Sequence, residues 1–236
     1  MSINYLNVKN LTLGYGNNIV INNINLSLKS NKNYQIIGGN GVGKSTLLGF
    51  ISNNFQGNTF NSIIESEQMR ILEISNEPTL NLNLSLLENC FYFTQEAMQE
   101  DKIQKLLKEY GMHSFMHDLV KNFSSGMVKR SELAIANMID PEILCIDEPL
   151  NYLDKEGVEL LTKLLKSRFE ADKSNIIASQ DSLNIFEDRY LKLVHDCMQK
   201  DKMFGMVQPK KIRDDKYIKK WHKAAKTIME EGKKKD

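Results

Sequence analysis

No stretch of this 236-residue chain is a continuous apolar run approaching the roughly 20 residues that a membrane-crossing helix needs. Charge of one sign is missing too. With 31 basic and 30 acidic residues the formal net charge is +1, so the whole molecule has no strong field to draw it to nucleic acid or a membrane. Cysteine is scarce: Cys90, Cys145 and Cys197 are odd in number, far apart and outside any CxxC spacing. That argues against both a disulfide framework and a thiolate metal site, and leaves buried or idle thiols in a reducing compartment. The start "MSINYLNVKN" has neither the basic nor the apolar region of a signal peptide, so a cytosolic protein is expected unless something else holds it at a membrane. No repeat or low-complexity segment appears before the lysine-rich end.

What is present is enough chain to bury a real hydrophobic interior, and charge that is unevenly placed. From Lys210 onward eleven Lys and Arg face five Asp and Glu, a surplus of six that leaves about minus five on everything before it. The first 30 residues alternate apolar and polar ("INYLNVKNLTL", "IVINNINLSL") around Gly14 and Gly16, the pattern of half-buried antiparallel strands joined by a turn. Then "YQIIGG" reads as a strand running into a glycine-rich loop and "KSTLLGFIS" as the helix after it. From about Leu84 to Gly126 the spacing is helical, so an inserted helical lobe is expected there. Further on, "EILCID" and "SNIIASQD" read as continuous apolar strands flanking an amphipathic helix, "EGVELLTKLLKSRF". Strands alternating with helices indicate a parallel sheet covered by helices, an α/β fold.

Two stretches carry chemistry. Residues 38 to 45, "GGNGVGKS", match GxxxxGK[ST] in full: Gly38, Gly39, Asn40, Gly41, Val42, Gly43, Lys44 and Ser45, with Thr46 following. In such a loop successive backbone N–H groups converge on phosphates, the lysine reaches the outer phosphates and the hydroxyl ligates magnesium. About a hundred residues later "ILCIDEP" brings Asp147 out at the end of an apolar strand, where magnesium would sit. Glu148 beside it is placed to orient or deprotonate an attacking water.

Taken in order, these segments resemble the ATP-binding cassette family over nearly all of residues 1 to 198. Tyr15 stands where the family places an aromatic that stacks on adenine. "FSSGMVKR", residues 123 to 130, resembles the signature motif written LSGGQ: Ser124 and Gly126 match, while Phe123, Ser125 and Met127 depart from it. In "NYLD", Asp154 stands at the matching position of the D-loop. Asn76 aligns with the glutamine of the Q-loop, one methylene shorter, as a further candidate for the magnesium. Gln180 aligns with the switch histidine, replacing an imidazole by an amide that donates a hydrogen bond but carries no proton. The resemblance implies a P-loop NTPase core with an N-terminal antiparallel subdomain and an inserted helical one, spanning 1 to 209. It further implies ATP and Mg2+, slowed hydrolysis with Glu148 and Gln180 as the catalytic pair, and head-to-tail closure of two cassettes in which Ser124, Ser125 and Gly126 reach the partner's nucleotide. The second cassette, in a homodimer or heterodimer, and a transmembrane permease subunit are the partners it implies. The chain would then be cytoplasmic and peripheral on the inner face of the plasma membrane.

Two other functions compete with transport: a soluble cassette ATPase on nucleic acid or ribosomes, and a non-hydrolysing ATP sensor. The first commonly has two cassettes or a coiled-coil insertion in one chain, neither of which is visible, so no nucleic-acid partner is expected. The second rests on Asn76 and Gln180. His113 and His117, four apart, would share a face if helical, though no third ligand lies near them. In the tail, residues 210 to 236, Tyr217, Trp221, Ala225 and Ile228 form an apolar stripe among lysines that would suit a membrane surface or membrane partner, or docking on the chain's own domain.

Overall fold

In the computed structural model the described residues are 4–60 and 62–183, with the backbone of 190–192. The basic tail and Cys197 lie outside them. Two long strands open the chain, β1 (Asn4–Tyr15) and β2 (Asn18–Lys29). They pair antiparallel around a two-residue turn in which Gly16 takes φ 56°. The sequence pattern leaves the next strands unmarked: β4 (Asn58–Phe60) and β5 (Ile63–Ser66) both add to β1, antiparallel.

The second sheet is parallel. Its strands are β3 (Asn33–Ile37), β6 (Ile71–Ile74), β7 (Ile143–Asp147), β8 (Ser174–Ser179) and β9 (Tyr190–Lys192), in the order β6-β7-β8-β3-β9. β7 and β8 are buried at every residue, as a strand covered on both faces must be. Alternate side chains of β7 therefore serve two cores. Ile143 and Cys145 join Leu11, Leu13, Ile24 and Leu28 of the antiparallel sheet and Leu47 and Leu48 of α1 (Lys44–Ile51). Leu144 and Ile146 face the other way, into a cluster built with the remaining helices.

Those helices are α2 (Leu86–Phe93), α3 (Glu100–Glu109), α4 (Ser125–Ile139) and α5 (Lys155–Glu170). α2 starts with a capping box in which Ser85 and Glu88 satisfy each other's backbone N–H groups. Leu86, Ile103, Leu107, Leu133 and Leu161 are fully buried in the same cluster as Leu144, Ile146 and Ile177. The helices between β6 and α4 thus share the main core. His113 lies in a short 3-10 turn, His113–Phe115, and His117 in the turn that follows it, not on the helical face that i,i+4 spacing would need. Among the described residues no group of three or more His, Cys, Asp or Glu could hold a metal, and no helix is long and apolar enough to cross a membrane.

Candidate active site

Parallel strands all point their carboxyl ends to one edge, and crevices at that edge are where open α/β sheets bind ligands. Here β3 delivers the glycine loop, β7 delivers Asp147, and β8 between them delivers Ser179 and Gln180. The edge is laced together: Gly38 donates its N–H to the Ser179 carbonyl at 3.3 Å, and Glu148 donates its N–H to the Ala178 carbonyl at 2.8 Å.

Gly38 is buried, Gly39, Asn40 and Gly41 are exposed, and the half-buried Val42 packs against the core. Gly43 caps α1 at φ 96°, a left-handed conformation, and a Cβ there would stand 3.0 Å from Val20 and 3.1 Å from Ile21. Only glycine meets both demands without strain. The turn aims the free N–H groups of the first helical turn, including those of Ser45 and Thr46, at the space above the loop.

Lys44 is 6% exposed, and its Nζ donates to the Gly39 carbonyl at 3.2 Å while standing 3.2 Å from Oε1 of Glu148. Ser45 Oγ donates to Oδ2 of Asp147 at 2.5 Å, and Asn76 Nδ2 reaches the same oxygen at 3.3 Å. The structure thus brings Ser45, Asp147, Asn76, Lys44 and Glu148 together from three separate segments. Burial pushes the Asp147 carboxyl above the usual aspartate range; the Ser45 hydroxyl opposes this, Glu148 adds to it, Lys44 opposes it and Glu73 adds to it. Oδ1 of Asp147 is buried with no hydrogen-bond partner. A buried carboxylate oxygen without a donor is costly, and an oxygen-ligated cation such as Mg2+ would satisfy it. The donors present, a hydroxyl, a carboxylate and an amide whose oxygen a side-chain flip would bring round, are the hard set such an ion prefers. Glu148 itself sits at φ 44°, an uncommon place for a non-glycine residue and one found at functional sites.

Tyr15 is 52% exposed at the end of β1, its ring edge-on to Phe55 at 5.3 Å and 67°. Gln180, on the turn that leaves β8, is exposed. The signature segment starts α4: Ser124 is its N-cap and accepts the Met127 N–H at 3.3 Å, with Ser125 exposed at the first turn. A Cβ on Gly126 would meet the Tyr152 carbonyl at 2.8 Å, so this glycine lets the loop after Glu148 pack against the helix. Asp154 caps α5 by accepting the Gly157 N–H at 2.9 Å, and takes 2.7 and 2.8 Å bonds from Nη2 of Arg130. These bonds hold its carboxyl below the usual aspartate range, the Arg130 contact most of all. Two residues that sequence reasoning missed belong beside these. Lys129 and Glu132 of α4 are buried and paired, and they grip the segment that carries Asn76. Their only signal is that two charges fall on a helix face otherwise filled by Val128, Ser131, Leu133 and Ile135.

Comparison with known proteins decides what this geometry belongs to. A family profile described as "ABC transporter" matches residues 21–151. The lantibiotic transport ATP-binding protein SrtF of Streptococcus pyogenes is 32% identical over 189 residues, covering 77% of this chain and 82% of that one. The chain belongs to the ABC transporter family. It is an ATP-binding, ATP-hydrolysing subunit of that family, the reading that the P-loop and the strand-end acids of β7 support. The ABC-type transporter ATP-binding protein EcsA of Bacillus subtilis is 29% identical, over 74% of this chain and 76% of that one. The solved dimeric post-hydrolysis state of the ATP-binding cassette MJ0796 with ADP and Pi shares the fold, with a TM-score of 0.68, 23% identity, and coverage of 80% of this chain and 94% of that one.

Proposed function

We propose that this ABC subunit binds ATP on Tyr15 and the loop from Gly38 to Thr46, with Mg2+ held by Ser45, Asp147 and Asn76, and hydrolyses it with Glu148 as base and Gln180 as γ-phosphate donor. The orphaned Asp147 Oδ1 beside the Ser45 and Asn76 contacts is the observation that carries the reading. The magnesium ion would neutralise charge on the outer phosphates. Lys44 supplies the fixed ammonium. It is already paired with Glu148, so an arriving phosphate competes for that ammonium and frees the carboxylate to orient water. Gln180 gives a directed hydrogen bond without a movable proton, which keeps the geometry and slows turnover. Ser124, Ser125 and Gly126, with the Asp154 loop behind them, form the surface that closes on a second cassette's nucleotide, as a homodimer or heterodimer.

The work of that closure is delivered to a separate transmembrane permease subunit, and the chain stands at the inner face of the plasma membrane through it. SrtF is named for lantibiotic transport; a relative from Buchnera aphidicola, 30% identical, is named for zinc import. Similar cassettes thus serve unlike cargoes, and the cargo is read by the permease. The test is Glu148→Gln in the purified chain with its permease. Phosphate release should vanish while ATP binding persists and an ATP-bound dimer accumulates. If the unaltered chain releases phosphate no faster than Glu148→Gln, it is a non-hydrolysing sensor instead.

A further inference from the structure

The segment Ser75–Thr79 leaves the end of β6, carries Asn76 over Asp147 and runs on toward α2. Both of its ends are held by one helix. Lys129 Nζ donates to the Ser75 carbonyl at 2.9 Å, and Oε1 of Glu132 accepts the Thr79 N–H at 2.8 Å and the Thr79 hydroxyl at 2.9 Å. Between the two grips Lys129 Nζ stands 3.0 Å from Oε2 of Glu132, an ionic contact not aligned as a hydrogen bond. Both side chains are almost fully buried, 4% and 1% exposed.

Such a pair is poorly explained by stability alone. Removing two charges from water costs several kcal/mol each, and packed apolar residues of similar volume commonly do as well or better. What a buried pair supplies is register: each charged group accepts only the arrangement that satisfies it. Core packing holds the flanking Ile74 and Leu80, but between them the segment borders a pocket of about 300 Å³ lined by Asn76, Pro78, Lys129, Glu132 and Tyr152 among others. Asn76, Glu77, Pro78 and Thr79 are all exposed. Between those two buried anchors its course is set by polar contacts, and the ones at Ser75 and Thr79 come from α4.

We propose that Lys129 and Glu132 are positioning residues that fix Asn76 against Asp147, so that the helix beginning at Ser124 and the metal end of β7 keep one register. The inference rests on the reading of Asn76 as part of the magnesium site. It assigns the pair no contact with nucleotide; it acts through the backbone at Ser75 and Thr79.

The test uses the purified full chain with ATP and Mg2+ alone as probes, and three variants: Lys129→Met/Glu132→Leu, Asn76→Ala, and the two combined. Loss of groups that orient a metal ligand costs about tenfold or more in metal affinity or activity. Lys129→Met/Glu132→Leu should therefore raise about tenfold the Mg2+ concentration that half-maximally tightens ATP binding, and lower kcat by a similar factor. ATP affinity in EDTA, set by the glycine loop, should stay within about twofold. In the Asn76→Ala background the same pair of substitutions should change nothing further, since partners acting as one unit are non-additive. Equal losses in both backgrounds, an Mg2+ requirement that does not move, or a matching fall in EDTA affinity would each overturn the inference. If the double substitution unfolds, Glu132→Gln, which keeps Oε1 for Thr79, carries the same measurements with a smaller shift. A chain whose phosphate release equals that of Glu148→Gln, yet whose Mg2+ dependence follows this pattern, would end the hydrolytic reading and leave the pair's role standing.

Discussion

Replacing Asp147 by asparagine should stabilise the protein while disabling it. The carboxylate is 3% exposed, one of its oxygens has no hydrogen-bond partner, and Glu148 and Glu73 oppose its charge. An unsatisfied buried polar atom costs about 1–3 kcal/mol, more when charged. A neutral amide of the same shape still accepts the Ser45 hydroxyl, so roughly 1 kcal/mol should be recovered, which for a domain of this size is about 2–4 °C in Tm. The pH dependence follows from the raised carboxyl. Because the folded-state value lies above the unfolded one, the penalty is present at neutral pH and disappears as pH falls through the folded value and the carboxyl takes up a proton. Thermal melts in EDTA from pH 8 downward should show Asp147→Asn above the wild type at neutral pH, with the gap closing under acid. Mg-ATP should then reverse the order. Ligand at about a hundred times its Kd stabilises by about 2.7 kcal/mol, and the variant should lose most of that. A variant that melts several degrees lower in EDTA, or a gap indifferent to pH, would show that the Ser45 and Asn76 contacts outweigh desolvation.

Lys44→Ala removes a charge-assisted phosphate contact of about 1.5–3 kcal/mol, so Mg-ATP affinity measured by titration should fall about tenfold or more. Gly126→Ala drives a Cβ to 2.8 Å from the Tyr152 backbone carbonyl; overpacking of this kind costs about 1–3 kcal/mol, and ATP-dependent dimerisation in size-exclusion runs should weaken with a modest fall in Tm. Arg168, whose guanidinium bonds Asn175 and the Pro141 and Ser174 carbonyls, is pulled down to about 10 by burial. Arg168→Ala strands those acceptors and should cost about 3 kcal/mol, lowering Tm by roughly 6–12 °C.

Most of what positions the site was legible because it is local. A strand, a glycine loop and a helix follow one another within Asn33–Ile51, and the buried strands β7 and β8 show as unbroken apolar runs. The strands β4, β5 and β6, three or four residues each and at most partly buried apart from Ile74, left no period to read. Nor did the sequence reveal that α2 and α3 share a core with Leu144 and Ile146, since which helix covers which sheet face is settled by long-range contacts. The charges on Lys129 and Glu132 fall on an otherwise buried helix face, but the letters do not say what partners them there. Only the carbonyl of Ser75 and the N–H of Thr79, supplied from more than fifty residues away, make them interior groups.

Gln180 marks the point where a readable substitution still needs a measurement. It follows Ser179, whose carbonyl accepts from Gly38 and whose hydroxyl donates to the Asp181 carbonyl at 2.7 Å, so its backbone is tied to the glycine loop whatever the side chain does. An amide and an imidazole both donate a hydrogen bond to a phosphate oxygen, but only the imidazole adds charge to the one developing there. Removing a preorganised donor costs roughly 10²- to 10³-fold in kcat; keeping a neutral donor should cost less. Gln180→Ala should therefore cut kcat more than tenfold with ATP affinity nearly unchanged, whereas Gln180→His should raise kcat or leave it where it is. A sharp fall on introducing histidine would mean that the rest of the site, Asn76 included, is built around the amide, and that Gln180 is a tuned catalytic element and not a weakened one.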